Sequence, residues 1–192
     1  MPTPNAAALA FLQNRRSHSA KTMSRPVPSP DQITGILSTA LRVPDHGKLE
    51  PWRFIVIAGD AMARLADLAE ARAKTLGYDA QKTAKGRGQF DLGLLAVVVV
   101  SSPKPSDKVP RIEQVLSAGA VCLGILNAAE ASGWGANWLS GWPSHDRGFV
   151  EAAFGLSALE TVVGIVHIAT QTSLAPDRPR PDLTGLVDWQ NS

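Results

Sequence analysis

Four valines in succession, Val97 to Val100, sit inside the apolar run 92–101 and constrain the fold of this 192-residue chain more than any other feature. Strand side chains alternate between the two faces of a sheet, so a run without alternation predicts a central strand buried on both faces. Residues 115–132 form the longest helix candidate and are apolar nearly all round, which predicts a helix in the core or at a subunit interface, stopped by Gly133.

The other elements follow from periodicity and punctuation. Residues 5–14 read as a helix, with Leu9 and Leu12 on one face. A proline-rich loop, 24–30, leads to Ser29-Pro30, a capping hydroxyl followed by proline where its missing N–H costs little. Ile33, Ile36, Leu37, Ala40 and Leu41 then make an apolar stripe, and Pro44 ends that helix. Residues 52–58, 134–139 and 161–169 are strand candidates by their β-branched and aromatic content. Residues 60–76 and 146–154 are helix candidates, 79–88 reads as a polar mobile stretch, and Gly141-Trp142-Pro143 as a turn. Strands separated by helices favour an α/β or α+β sandwich. The chain reads as a single domain, 1–192, with a C-terminal arm at 172–192 that carries the lone apolar anchors Leu183, Leu186, Val187 and Trp189. Such an arm and an all-round apolar helix suggest a dimer.

Composition narrows the function classes. A formal net charge of +2 and tryptophans that do not interleave with basic clusters speak against nucleic acid. Cys122 is the sole cysteine, so no internal disulfide or thiolate cluster can form, and its apolar setting reads as a buried hydrophobe. His18, His46, His145 and His167 lack metal-ligand spacing. No Walker A, no Gly-x-Gly-x-x-Gly after a strand and no Gly-x-Ser-x-Gly elbow occurs. The N-terminal residues lack the layout of a signal peptide and the run 92–100 is too short to span a bilayer, so no membrane is expected and the cytoplasm is the default location.

Three segments carry chemistry. Arg15-Arg16-Ser17 reads either as a clamp for a phosphate or carbonyl oxygens, or as an exposed basic pair at a helix C-terminus. Asp45-His46-Gly47-Lys48 before Pro51-Trp52 reads as a ligand-contacting loop or as a plain connection. The stretch 134–142, with small residues beside Trp134, Trp138 and Trp142, reads as a frame for a flat ring or as a core strand with interfacial tryptophans.

In this order the segments resemble the nitroreductase family, within it the short bacterial subgroup. Arg15-Arg16-Ser17 follows the first helix as the family's Arg-Arg-Ser signature does. LRVPDHGKLEPWRFIVI (41–57) is similar to its Ala-Pro-Asp-His form of the Pro-Trp segment, KVPRIEQVLSAGAV (108–121) to the segment that leads into its long helix, and GWGANWLSG (133–141) to its glycine-rich stretch. The resemblance implies an α+β fold with a central, mainly antiparallel sheet flanked by helices, in two interlocked chains that build FMN sites at their interface. It implies that Arg15, Arg16 and Ser17 hold the phosphate, the ribityl chain and part of the pyrimidine ring. Arg42 and His46 would arrive from the partner chain, with Pro44 and Leu49 as walls, and Trp138, Leu139 and Ser140 would line the isoalloxazine. It further implies ping-pong hydride transfer from NAD(P)H to an electron-poor acceptor such as a nitroaromatic or quinone. The flavin carries the chemistry, so no side chain is named as catalytic acid, base or nucleophile. A backbone N–H from 138–141 would face the flavin N5, and Leu41, Leu49 and Trp142 would wall the acceptor. An FMN-dependent dehydrogenase on the same scaffold, or a flavin-binding protein with little turnover, are the alternatives. The departures are Glu50 for the usual glutamine, Leu139 where a basic residue is expected, and a tail without the late Lys-x-Arg pair, a role for which Arg178 and Arg180 are candidates.

Overall fold

The computed structural model describes residues 2–190, and its sheet is built around the valine run. The strands are β1 (Met23–Ser24), β2 (Trp52–Ala58), β3 (Leu95–Ser101), β4 (Gly135–Leu139) and β5 (Thr161–Gln171). Their order is β1-β5-β3-β2, with β4 also paired to β5, and every pairing is antiparallel. All seven residues of β3 are buried, as its lack of alternation predicts. The helices are α1 (Ala6–Asn14), α2 (Pro30–Ala40), α3 (Asp60–Thr75), α4 (Ala80–Asp91), α5 (Arg111–Ala131), α6 (Trp142–His145) and α7 (Arg147–Phe154). One face of the sheet, through Val97, Val99, Ala136, Val166 and Ile168, packs on α2 and α5. The opposite face, through Ala96, Val98, Val100 and Ile165, packs on α3 and α7. The architecture is therefore α+β, with a mainly antiparallel sheet between helical layers.

Local chemistry explains the boundaries. Ser29 and Gln32 form a reciprocal cap on α2: the Gln32 N–H donates to Ser29 Oγ at 3.3 Å and the Ser29 N–H to Gln32 Oε1 at 2.9 Å. Two expectations are corrected. The stretch read as polar and mobile is α4, capped by Asp79, whose carboxylate accepts the Lys82 N–H at 2.7 Å. Its glycines and low hydrophobicity conceal it; it is held by fully buried Phe90 and by Arg87, which reaches Asp67 and Glu70 of α3. Gly86 is there for packing, because a Cβ would lie 2.3 Å from Trp142 Nε1. The turn at Gly141-Trp142-Pro143 is instead the start of α6, where proline suits the first turn.

Cys122 is fully buried, and burial pushes its thiol up to about 12, which fits the reading as a small hydrophobe. The helix α5 alone among the described helices is long and apolar enough to cross a membrane, but its buried face packs on α2 and the sheet.

A partly buried ion pair ties β2 to the turn before β5. Arg53 donates to Glu160 at 2.6 and 3.0 Å, and the Ser157 N–H adds 2.9 Å. The Arg53 guanidinium, more than any other partner, holds the Glu160 carboxyl down at about 2. The folded-state value lies below the unfolded one, so this stabilisation is present above the ordinary carboxylate range and lost as pH falls from about 5 towards 2. Thermal melts across that window are expected to show acid destabilisation of roughly 2–3 kcal/mol. Glu160→Gln should remove that share of the pH dependence; an unchanged profile would exclude the pair as its source.

Candidate functional site

The Arg-Arg-Ser segment leaves the end of α1 and runs beside β4. Arg15 is the C-cap of α1 in an extended conformation, and the His18 N–H donates to Ala136 O at 2.9 Å, fixing the segment against the sheet. Arg15 Nη2 lies 3.3 Å from Glu130 Oε1 on α5 and 3.4 Å from Ser17 Oγ. Burial raises the Glu130 pKa, with Arg15 working against it. Arg16 donates to Arg15 O at 2.8 Å and to Gln13 O at 3.2 Å, and pairs with Asp177 in the C-terminal arm. The Nε atoms of both Arg15 and Arg16 are buried without a partner. Arg15, Arg16 and Ser17 line a cavity of about 700 Å³ together with Arg178 and Arg180 of the arm. Four arginines against one carboxylate, Asp177, leave this cavity net positive, a setting that fits a dianionic phosphate.

Further along the same segment, Ser19, Ala20 and Lys21 line a second cavity of about 410 Å³. Its other walls are α4, through Lys85, Gly88 and Gln89, and Leu139 at the end of β4. Strand alternation decides which side chains reach it. Leu139, opposite Ile165 on the α3 side of the sheet, faces this cavity, whereas Trp138, opposite Val166, points to the α2 and α5 side. There the Trp138 indole lies over Gly164, where a Cβ would be 2.0 Å from Nε1. Ser140 is exposed, and its Oγ lies 2.9 Å from His145 Nε2. Of the three residues expected around a flat ring, Leu139 alone is a wall of this cavity. The cation expected at position 139 has a counterpart in Lys21 and Lys85 on the same cavity. Sequence reading missed both, since neither stands in a motif; only the fold of α4 brings Lys85 to β4.

Arg42 lies elsewhere in the chain. With Leu41, Leu49, Glu50, Trp52 and Lys104 it lines a third cavity of about 930 Å³, beside the edge strand β2. Asp45 shapes the loop by accepting the Leu49 N–H at 3.2 Å and the Glu50 N–H at 2.8 Å. Exposed His46 places Nδ1 2.7 Å from Glu113 Oε2, and Ser117 donates to Pro44 O at 2.7 Å, so the loop is braced on α5. Within one chain, then, Arg42 does not join Arg15, Arg16 and Ser17 in a cavity. Trp142 walls neither this cavity nor the one beside Leu139: its Nε1 donates to Lys82 O at 3.0 Å and its ring packs edge-on against Tyr78 and Phe149.

The sheet between its helical layers thus carries a basic cavity and, further along the same segment, a second cavity beside the glycine-rich strand. The family model described as Nitroreductase family matches residues 12–170, and the chain belongs to that family. Among its relatives, "Putative NAD(P)H nitroreductase YdjA" of Escherichia coli (strain K12) is 34% identical over 182 residues, 92% of this chain and 98% of that one. A Haemophilus influenzae relative with the same NAD(P)H nitroreductase designation is 33% identical over 165 residues, 85% of this chain and 88% of its own. Among solved structures, a nitroreductase-like protein from Bacillus cereus superposes with a TM-score of 0.81 at 22% identity over 100% of both chains. A Desulfovibrio desulfuricans protein crystallised in complex with FMN superposes with a TM-score of 0.72 at 21% identity over 98% of both. At these identities the superpositions speak for the fold.

Proposed function

We propose that this protein is an FMN-dependent oxidoreductase that takes reducing equivalents from NAD(P)H and delivers them to an electron-poor acceptor, a nitroaromatic or quinone, by a ping-pong mechanism. The observation that carries this reading is the pair of buried, unpartnered Nε atoms on Arg15 and Arg16, at a cavity that also holds Ser17, Arg178 and Arg180. Buried donors without partners are unfavourable and call for a water, an ion or a ligand to complete them. Bound with its phosphate there and its ring between α4 and Leu139, FMN would supply the hydride chemistry.

The side chains position and tune. Arg15, Arg16, Arg178 and Arg180 neutralise the phosphate, and Ser17 donates to it. Lys21 and Lys85 place positive charge beside the ring, which favours an anionic reduced form. Leu139 offers an apolar wall that excludes water from one side, and a main-chain N–H in 138–141 is the donor assigned to N5. No acid or base from the chain is required.

The enzyme is proposed to act as a homodimer. The helix α5 leaves Ile112 and Leu116 62% and 64% exposed, α1 buries no residue, and the arm exposes Leu174 and Trp189. Apolar surface of this kind calls for a second subunit. The partner's Arg42 and His46 loop would then reach the flavin that the chain's own loop cannot. The cytoplasm, where reduced nicotinamides are generated, suits the reaction.

The test is anaerobic spectroscopy on the purified protein loaded with FMN. Addition of NADH or NADPH is expected to bleach the flavin bands, and a nitroaromatic or quinone to restore them. Flavin that stays oxidised with both nicotinamides, or that is reduced only by a saturated donor, would contradict the proposed direction.

A further inference from the structure

We propose that Glu130 couples the phosphate cradle to pH, holding Arg15 in place while the site is empty and taking up a proton when a phosphate dianion arrives; this rests on the FMN reading above. Glu130 stands in the last turn of α5, where the helix dipole disfavours a carboxylate. Its side chain is only 7% exposed, so water solvates its charge poorly. A charge in so unfavourable a place depends on its neighbours. They are Arg15, whose Nη2 lies 3.3 Å from Glu130 Oε1, the main-chain N–H of Arg16, and His18. These residues border a cavity of about 300 Å³, to which α1 through Asn14, β5 through Gln171 and the arm through Leu174 and Ala175 add no ionisable group. Asp177 lies on the cradle instead, paired with Arg16.

Arg15 and Arg16 border both that cavity and the cradle, so the two sites share their cations. A dianion in the cradle sets two further negative charges against the guanidinium that Glu130 already uses. Negative charges that compete for one cation raise each other's proton affinity. The proton goes to Glu130 rather than to the phosphate. The phosphate has Arg16, Arg178 and Arg180 to hold its charge as well, whereas Glu130 is buried and its pKa is raised by that burial before any ligand binds. Its carboxylate takes the proton from solvent. The neutral acid still accepts the Arg15 N–H on its carbonyl oxygen, so the guanidinium keeps its position. Because binding raises the proton affinity of Glu130, the phosphate is held best at low pH, and part of that hold is lost as pH rises through the titration of the bound state.

The experiment titrates the apoprotein with FMN and with riboflavin, which lacks the phosphate, following flavin fluorescence across pH. Glu130→Gln keeps an acceptor for Arg15 but carries no charge. Its preference for FMN over riboflavin is expected to exceed that of the unaltered protein by roughly tenfold at about pH 8, and the two should converge as pH falls and Glu130 becomes neutral as well. Protonation of the phosphate itself is common to both proteins. A merely structural prop would lower both affinities alike at every pH. That result, or identical profiles for the two proteins, overturns the inference while leaving FMN in its cradle. Calorimetry on the unaltered protein, in two buffers of different ionisation enthalpy, needs no variant to fold. Net proton uptake with FMN and none with riboflavin is expected at about pH 7. No uptake, or release, with FMN overturns the inference. An unaltered protein that does not prefer FMN to riboflavin, or that binds neither, removes the FMN reading along with it.

Discussion

Replacing Arg15 and Arg16 together by alanine is expected to weaken FMN binding by at least about a hundredfold, since two charge-assisted hydrogen bonds of roughly 1.5–3 kcal/mol each are lost. The effect should exceed that of either arginine in the C-terminal arm. Arg178 and Arg180 approach the cavity from an exposed segment, whereas Arg15 and Arg16 are partly buried and fixed by Glu130 and by main-chain carbonyls. Arg15→Ala also strands Glu130, whose pKa burial already raises, so the carboxyl should take up a proton more readily and part of the stability should become pH-dependent. Isothermal or fluorescence titration checks the affinity, and a melting curve of the apoprotein separates that from folding. An affinity within threefold of the original, in a protein that is still folded, would remove the pair from the phosphate site.

The second large effect lies in the core. At Gly124 the helix α5 lies against the end of α2: a Cβ there would sit 2.8 Å from Ala40 O and 3.3 Å from Ala40 Cα. Backbone cannot swing aside as a side chain can, so Gly124→Val must push two packed helices apart, at a cost of about 3 kcal/mol or more. Gly35, on α2 itself, faces open space, with no atom within 4 Å of where a Cβ would stand, and Gly35→Ala is expected to stabilise by up to about 1 kcal/mol through helix propensity. Opposite signs for two glycines on the same helix pair are a stringent check by urea denaturation. Equal and small effects at both would show that the helices do not meet at Gly124.

The layered α+β fold was legible where burial dictates composition. Val97 to Val100 announce a strand covered on both sides, and Ser29 with Pro30 announces the start of α2; both stand as read. The helix α4 was not legible, because Gly86 and Gly88 are poor helix formers and the forces that hold it, Arg87 to α3 and Trp142 against Gly86, come from residues distant in sequence. That miss had a consequence for the site. The second cavity is walled by α4, so Lys85 and Gln89 carried no local signal. Arg15, Arg16 and Ser17 did, and they are gathered with Arg178 and Arg180 although the two groups come from opposite ends of the chain. At β4 the sequence did not show which side chains face which layer. Alternation relative to β5 sends Leu139 and Trp138 to opposite sides, and that depends on pairing register.

The most direct test is the flavin content and solution mass of the purified protein, measured together by absorbance and light scattering. A yellow species of about twice the 20.3 kDa chain mass, with one FMN per chain, is the predicted result. A folded, colourless monomer that takes up no FMN when it is supplied would contradict it.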